Sequence, residues 1–389
     1  MNIVLLCFGI SSIASVSGLE KVFVSMANEF LRRGHQVTAV WNDEQGVKPF
    51  YHIDDGVNCI NLGLGKIKAP LAFRIIREVN KGLRLDLKNK VDEYKTQLLC
   101  YAMKHSLSVK PDVFICYEFN SVMVANVLSE GEIPVIAMVH NSIDNQIGML
   151  TPKQRKEASR ATVYQVLMPE YVKQAQQLLS TRIEYIPNIV LQVKLEDHAD
   201  LSIEKEQYII THIGRIEGRQ KRQAILAGAF AAVAKAFPKW ILQFYGPVGD
   251  ESYKKMIEAY IAANGLEKQI FFKGITENPL KILQHSDIFP FPSAYEGFPL
   301  ALTEAMAVGL PTIGFRNAPA VGGLICNGEN GYVCDTKNEF AKQLEILMQS
   351  KEKRITMGRK ASKSMEKFAP DIVWNRWESL LEEIAYNKK

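Results

Sequence analysis

Two glutamates with seven residues between them stand in Pro292-Ser293-Ala294-Tyr295-Glu296-Gly297-Phe298-Pro299-Leu300-Ala301-Leu302-Thr303-Glu304-Ala305-Met306. The segment follows a strand-like apolar run. Pro299 suits the first turn of a helix, where its missing N–H costs nothing. Glu296 is then expected on the loop and Glu304 about one turn into the helix, both at the C-terminal edge of a sheet. A carboxylate accepts paired hydrogen bonds from vicinal hydroxyls, so two of them suit a ligand with a sugar at each end. The unpaired N–H groups of the helix start between them suit a phosphate. The same acids could equally do no more than complement the helix dipole or meet solvent.

A second run, Arg215-Ile216-Glu217-Gly218-Arg219-Gln220-Lys221-Arg222, sets four cations and one anion in eight residues after another strand-like stretch. Arg grips phosphate as a bidentate fork and Lys as a mobile point charge. Such groups can stabilise the negative charge that develops on a departing diphosphate. A solvated surface turn is the alternative. The loop 9–20 (GISSIASVSGLE) puts small residues after the first strand, where a ligand can approach the backbone. It lacks the G-x-G-x-x-G fingerprint, which argues against a tight dinucleotide turn.

Groups at strand ends need a sheet to hold them. Short β-branched runs alternate with longer helical patterns, the mark of a parallel sheet covered by helices. Strands are predicted over 3–8, 36–41, 58–62, 113–117, 135–140, 163–168 and 183–187, with a helix over 18–33 after the first. A second series is predicted over 208–214, 240–245, 270–273, 288–291, 311–315 and 331–334. The polar segment 191–207 has no clear period and reads as a linker between Rossmann-like halves, 1–190 and 208–370. Residues 371–389 carry Trp374, Trp377, Leu380, Leu381 and Ile384 at helical spacing, a helix expected to pack back on the first half.

The chain has 389 residues, 47% of them hydrophobic, and a formal charge of +5, so it is an ordinary globular α/β chain and not a nucleic-acid binder by charge. Its six cysteines are scattered, with no C-x-x-C and no histidine at zinc spacing; four of them lie in apolar surroundings and read as buried thiols, which suits a reducing compartment. The first residues lack a basic signal region, and no stretch approaches ~18 uninterrupted apolar residues. A cytoplasmic location is expected.

These residues resemble a known family, the retaining family-4 glycosyltransferases of the GT-B fold. The likeness is carried by the acidic segment with its flanks, by HIGRIEGRQKR (212–222), and by the late turn and strand Asn327-Gly328-Glu329-Asn330-Gly331-Tyr332-Val333. In the first half it is carried by Gly18-Leu19-Glu20, Arg33-Gly34-His35, Val139-His140 and Ile186-Pro187-Asn188. The resemblance implies two Rossmann-like domains with parallel sheets facing a central cleft. It implies a nucleotide-sugar donor, UDP-linked, held by the second domain, and a glycan or lipid-linked acceptor approaching the first. Arg215 and Lys221 would bind the diphosphate, with Arg219 able to share that role and Gly214 leading into it. Glu304 would hold the ribose, and Glu296 the 3- and 4-hydroxyl region of the sugar. Backbone around Gly297, Phe298, Pro299 and Leu300 would touch phosphate and sugar. Gly18 would line the phosphates, and His140 would sit beside the reacting centre, although a lone histidine after a strand also serves as a structural residue. The implied reaction retains the anomeric configuration without a protein nucleophile. No D-x-D occurs, so no metal is expected.

The sequence departs from the family pattern where Ser17 precedes Gly18, where Lys221 is one residue further from Arg215, and where Gly322-Gly323 replace an acid. A UDP-sugar 2-epimerase on the same fold and a catalytically silent scaffold are the rival readings. The positive charge is concentrated: residues 66–110 hold eleven Lys or Arg against four acids, a net +7. Phe73, Ile75, Ile76, Val79, Leu83, Leu85 and Leu87 are interleaved with them. Such a stretch could meet an anionic membrane surface or form a solvated helix face. It makes a peripheral position at the inner face of the membrane a further expectation.

Overall fold

The computed structural model describes residues 1–9, 12–83 and 89–386. Ile10 and Ser11 of the first loop lie outside the described residues, as do Arg84, Leu85, Asp86, Leu87 and Lys88 of the basic segment. The chain divides into two units, Met1–Ile186 with Trp377–Lys389, and Pro187–Arg376.

The first unit is built on seven strands: β1 (Asn2–Cys7), β2 (Gln36–Trp41), β3 (Asn58–Asn61), β4 (Val113–Cys116), β5 (Val135–Met138), β6 (Val163–Val166) and β7 (Arg182–Tyr185). All pairs are parallel, in the order β3-β2-β1-β4-β5-β6-β7. The central strands β1, β4, β5 and β6 are buried along almost their whole length, which is why they read as apolar runs without alternation. The helix Gly18–Arg32 follows β1; Ser17 caps it by accepting from the Leu19 N–H, and Phe23, Met26 and Phe30 face the core. Gly34, at φ 88°, lets the chain turn out of that helix into β2.

The second unit carries β8 (Tyr208–Ile213), β9 (Trp240–Tyr245), β10 (Ile270–Gly274), β11 (Phe289–Phe291), β12 (Thr312–Phe315) and β13 (Gly331–Cys334). They form two parallel ladders, β10-β9-β8 and β11-β12-β13. A parallel bridge from Ile210 to Ile288, with Thr211 N–H donating to Ile288 O at 3.0 Å, sets β11 beside β8. Strand order therefore reverses between β1 and β4 and again between β8 and β11. In doubly wound sheets ligands bind at such reversals, outside the carboxyl ends of the strands.

Several strands end a residue or two earlier than the sequence suggests. β5 stops at Met138 because the side chain of Gln146 takes over: its Oε1 accepts from the His140 N–H at 2.7 Å and its Nε2 donates to Met138 O. His140 thus stands on a turn past the strand. The segment 191–207 differs more. It is a strap of the second unit and not a free linker, with a short turn at Leu195–Asp197, Ala199 and Leu201 buried, and Ala199 N–H donating to Val308 O at 2.9 Å. At the other end, the division between units falls within the helix Pro370–Tyr386. In the first unit, Trp377 of that helix lies edge-on to Phe30, and Glu378 bonds His35 at 3.1 Å.

Candidate active site

The residues that could bind a diphosphate follow β8, and the acidic segment follows β11. Adjacency of those strands therefore places both loops at one reversal point. The loop after β8 is curled by its own acid. The Glu217 carboxylate accepts from the backbone N–H groups of Lys221 (2.8 Å), Gln220 (2.9 Å) and Arg219 (3.2 Å). The curl turns Lys221 back over the sheet end, where Nζ lies 2.6 Å from Glu296 Oε1 and 5.2 Å from the centre of the Phe291 ring. The two side chains are 19% and 8% exposed, so this charge-assisted contact is shielded from water.

Arg222 does a different job from the one its charge suggests. Held in the left-handed region at φ 53°, it donates to Pro292 O and Ser293 O at 2.8 and 2.9 Å, its guanidinium over the Phe315 ring. Burial lowers its pKa. Gln220 adds two more stitches, donating to Tyr295 O and accepting from the Ala294 N–H. Arg215 and Arg219 remain exposed at the same edge. The acidic segment then enters the helix Leu300–Ala307, whose N-cap is Pro299 and which has no side-chain cap. Its first N–H groups lack intrahelical partners and can meet an anion. Gly297, Phe298 and Pro299 are buried beneath, and Glu304 is half-buried on the helix.

Sequence reasoning missed the support under Gly214 and Arg215. His212 on β8 is fully buried; its Nδ1 lies 3.1 Å from Pro290 O, and Nε2 lies 3.5 Å from Gln223 Nε2. Gln223 in turn donates to Arg215 O at 2.8 Å, fixing the start of the cationic loop. A histidine inside an apolar strand flanked by Gly-Arg was the visible signal. Burial lowers the His212 pKa to about 4, against 6.5 for a free histidine. The unfolded chain therefore takes up a proton first as the solution is acidified. The stability contributed is complete above about pH 6.5 and lost as pH falls towards 4, by about 3 kcal/mol. Urea unfolding at pH 7 and pH 5 should show about 2 kcal/mol of that loss from His212, beside a similar amount from the buried His140, and His212→Gln should reduce the slope by its share; an unchanged slope would refute the buried neutral state.

Gly18 and His140 lie in the first unit, at the carboxyl edge of its own sheet. Gly18 opens the first helix and is exposed. The His140 ring stacks on Tyr117, centres 4.9 Å apart, and its Nε2 is buried without a hydrogen-bond partner. Burial lowers its pKa to about 3, so it is a neutral imidazole at pH 7. Such an orphaned polar atom costs free energy unless a ligand supplies the partner. At the ends of β1 to β3 the same unit has a cavity of about 410 Å³, lined among others by Asn42, Asp43, Glu44, Lys66, Lys95 and Asn120.

Residues 193–364 match the family model described as glycosyl transferases group 1. Over 382 residues the chain is 25% identical to an uncharacterized glycosyltransferase of Haemophilus influenzae, an alignment spanning 96% of this chain and 99% of that protein. A stretch of 191 residues is 28% identical to the poly(glycerol-phosphate) alpha-glucosyltransferase of Bacillus subtilis, covering 48% of this chain and 28% of that one. Among solved structures, the pneumococcal O-GlcNAc transferase GtfA in complex with UDP and GlcNAc matches with a TM-score of 0.77, 17% identity and 99% coverage of both chains. The fold is that of the GT-B glycosyltransferases, and residues 193–364 are similar to the glycosyl transferases group 1 family.

Proposed function

We propose that the protein is a retaining, metal-independent hexosyltransferase. It moves a hexosyl group from a UDP-linked sugar to a lipopolysaccharide, capsule or lipid-linked glycan acceptor. The observation that carries the reading is the contact of Lys221 with Glu296 at 2.6 Å at the β8–β11 reversal point, beside the uncapped helix Leu300–Ala307. A cation for the leaving group and a carboxylate for the sugar are there within one hydrogen bond of each other. UDP is favoured as the donor base because GtfA, of the same fold, was solved with UDP. A glycan polymer is favoured as acceptor because the Bacillus relative is named for glucosylating poly(glycerol phosphate).

In this reaction the bond from the anomeric carbon to the diphosphate oxygen breaks, and the electron pair leaves with the nucleoside diphosphate. Arg215 and Lys221, with Arg219 near, offset that charge, aided by the helix N–H groups of Leu300 and its neighbours. Glu304 holds the ribose hydroxyls and Glu296 the sugar hydroxyls, which fixes the anomeric carbon. The acceptor oxygen attacks from the face the diphosphate leaves, and its proton passes to the departing phosphate oxygen. His140, neutral, offers a ring nitrogen for hydrogen bonding, and Gly18 offers open backbone for close approach. The cationic loop supplies the charge that a metal would otherwise bring. A cytoplasmic setting belongs to the same proposal. The relatives are glycosyltransferases, which does not favour the epimerase reading.

The test is a thermal-shift series with UDP, GDP and ADP, since a ligand that binds only the folded state raises its stability by mass action. UDP should raise Tm, and Glu304→Ala should abolish the rise; an unchanged rise removes Glu304 from the ribose. Release of UDP from UDP-sugars should persist undiminished in excess EDTA. Loss of release there would overturn the metal-independent step.

A further inference from the structure

We infer that the helix Leu71–Gly82 of the first unit docks the protein on an anionic lipid surface. A helix at a protein surface ordinarily turns its apolar stripe to the core and its polar face to water. Here the stripe faces water: Leu71, Ile75, Ile76 and Val79 are 66%, 55%, 43% and 50% exposed, and Leu83 just beyond is 66% exposed. Leu71, Ile75, Val79 and Leu83 recur at every fourth residue, with Ile76 next to Ile75, and so share one side of the helix. The helix is held to its unit through another side. Phe73 is half-buried and lies edge-on to Tyr94 of the helix Lys90–Ser106, ring centres 6.1 Å apart. The contact anchors the helix while leaving its apolar stripe open.

Charge selects the occupant. Residues 66–83 carry five Lys or Arg and one acid, Glu78, which is paired with Arg77 at 2.7 Å. Lys66 and Lys68, just ahead of the helix, and Arg74 within it are exposed. A second copy of this chain would bring the same positive charge against itself, whereas anionic headgroups would neutralise it. Apolar side chains entering the acyl boundary with cations at headgroup level describe an in-plane interfacial helix. Among the described residues no helix is long and apolar enough to cross a membrane, so the contact lies along the surface. Lys66 also lines the 410 Å³ cavity, a few residues ahead of the helix. An acceptor carried on a lipid would be presented beside that cavity. The docking itself does not depend on the transferase reading.

The experiment is vesicle flotation of the full chain with phosphatidylcholine alone and with phosphatidylcholine–phosphatidylglycerol mixtures. Binding is expected only to the anionic vesicles and should weaken with salt. Ile75→Ser with Val79→Ser, and separately Arg74→Glu with Arg77→Glu, should each lower vesicle affinity by about tenfold or more. All four positions are exposed, so circular dichroism melts should be unchanged. Equal binding to both vesicle types, or retention by the Ile75→Ser, Val79→Ser variant, would overturn the proposal. A dimer in sedimentation that dissolves in that variant would also overturn it, in favour of a second copy.

Discussion

Lys221→Ala is expected to cut release of UDP from the UDP-sugar by about 10²–10³-fold and to lower stability at the same time. The two effects have different origins. In the proposed reaction turnover falls because a cation that offsets the charge of the leaving diphosphate is gone. Stability falls because Glu296, 8% exposed, loses the ammonium 2.6 Å away and remains a poorly solvated carboxylate. Removing one partner of a fully buried pair costs about 3–5 kcal/mol; Lys221 is itself 19% exposed and Glu296 keeps further interactions, so the loss should fall below that range. Removing both charges separates the effects. Lys221→Met with Glu296→Gln should recover most of the lost stability in urea melts, while turnover stays low. If the double variant recovers turnover as well, Lys221 only balances Glu296, and the leaving-group role fails.

This contact also shows what the sequence could reveal and what it could not. That both motifs stand at carboxyl ends of strands was legible, because an apolar run followed by Gly-Arg or Pro-Ser marks such an end. That Lys221 meets Glu296 was not legible from either motif. The two residues are 75 positions apart, and only the adjacency of β8 and β11 joins them. Counting cations in the run 215–222 treated Arg222 like Arg215. The difference lies in backbone: at φ 53° Arg222 is aimed at two carbonyls, a use of charge that composition does not encode. Residues 191–207 looked like a linker because an irregular strap has no period. The hydrogen bonds that tie it down go to Val308, Met365 and Asp287, far along the chain, which no local window can see. For the helix Leu71–Gly82, spacing showed an apolar side but not that this side faces solvent; that depended on Phe73 taking the anchoring position.

The largest effect on the fold of the second unit is expected from Gly246→Ala, which lies under the same cationic loop. Gly246 follows β9 at φ 137°, a conformation that L-residues rarely adopt. A Cβ there would stand 2.3 Å from Gly214 O and 3.3 Å from the Arg215 backbone nitrogen. Those neighbours are backbone, fixed on one side by the Gly214 N–H donating to Tyr245 O and on the other by Gln223 on Arg215 O. Neither can yield as a flexible side chain would. Strain and overpacking together should cost about 2–6 kcal/mol. Gly265→Ala is the control, because it also has a positive φ, 66°, but an added Cβ meets nothing within 4 Å. It should cost only about 1–2 kcal/mol and leave UDP binding intact. Gly246→Ala should weaken UDP binding even in its folded fraction, since the displaced groups carry Arg215. If the two variants melt alike, β9 does not approach Gly214 this closely. The cationic loop then owes its position to Glu217 and Gln223 alone.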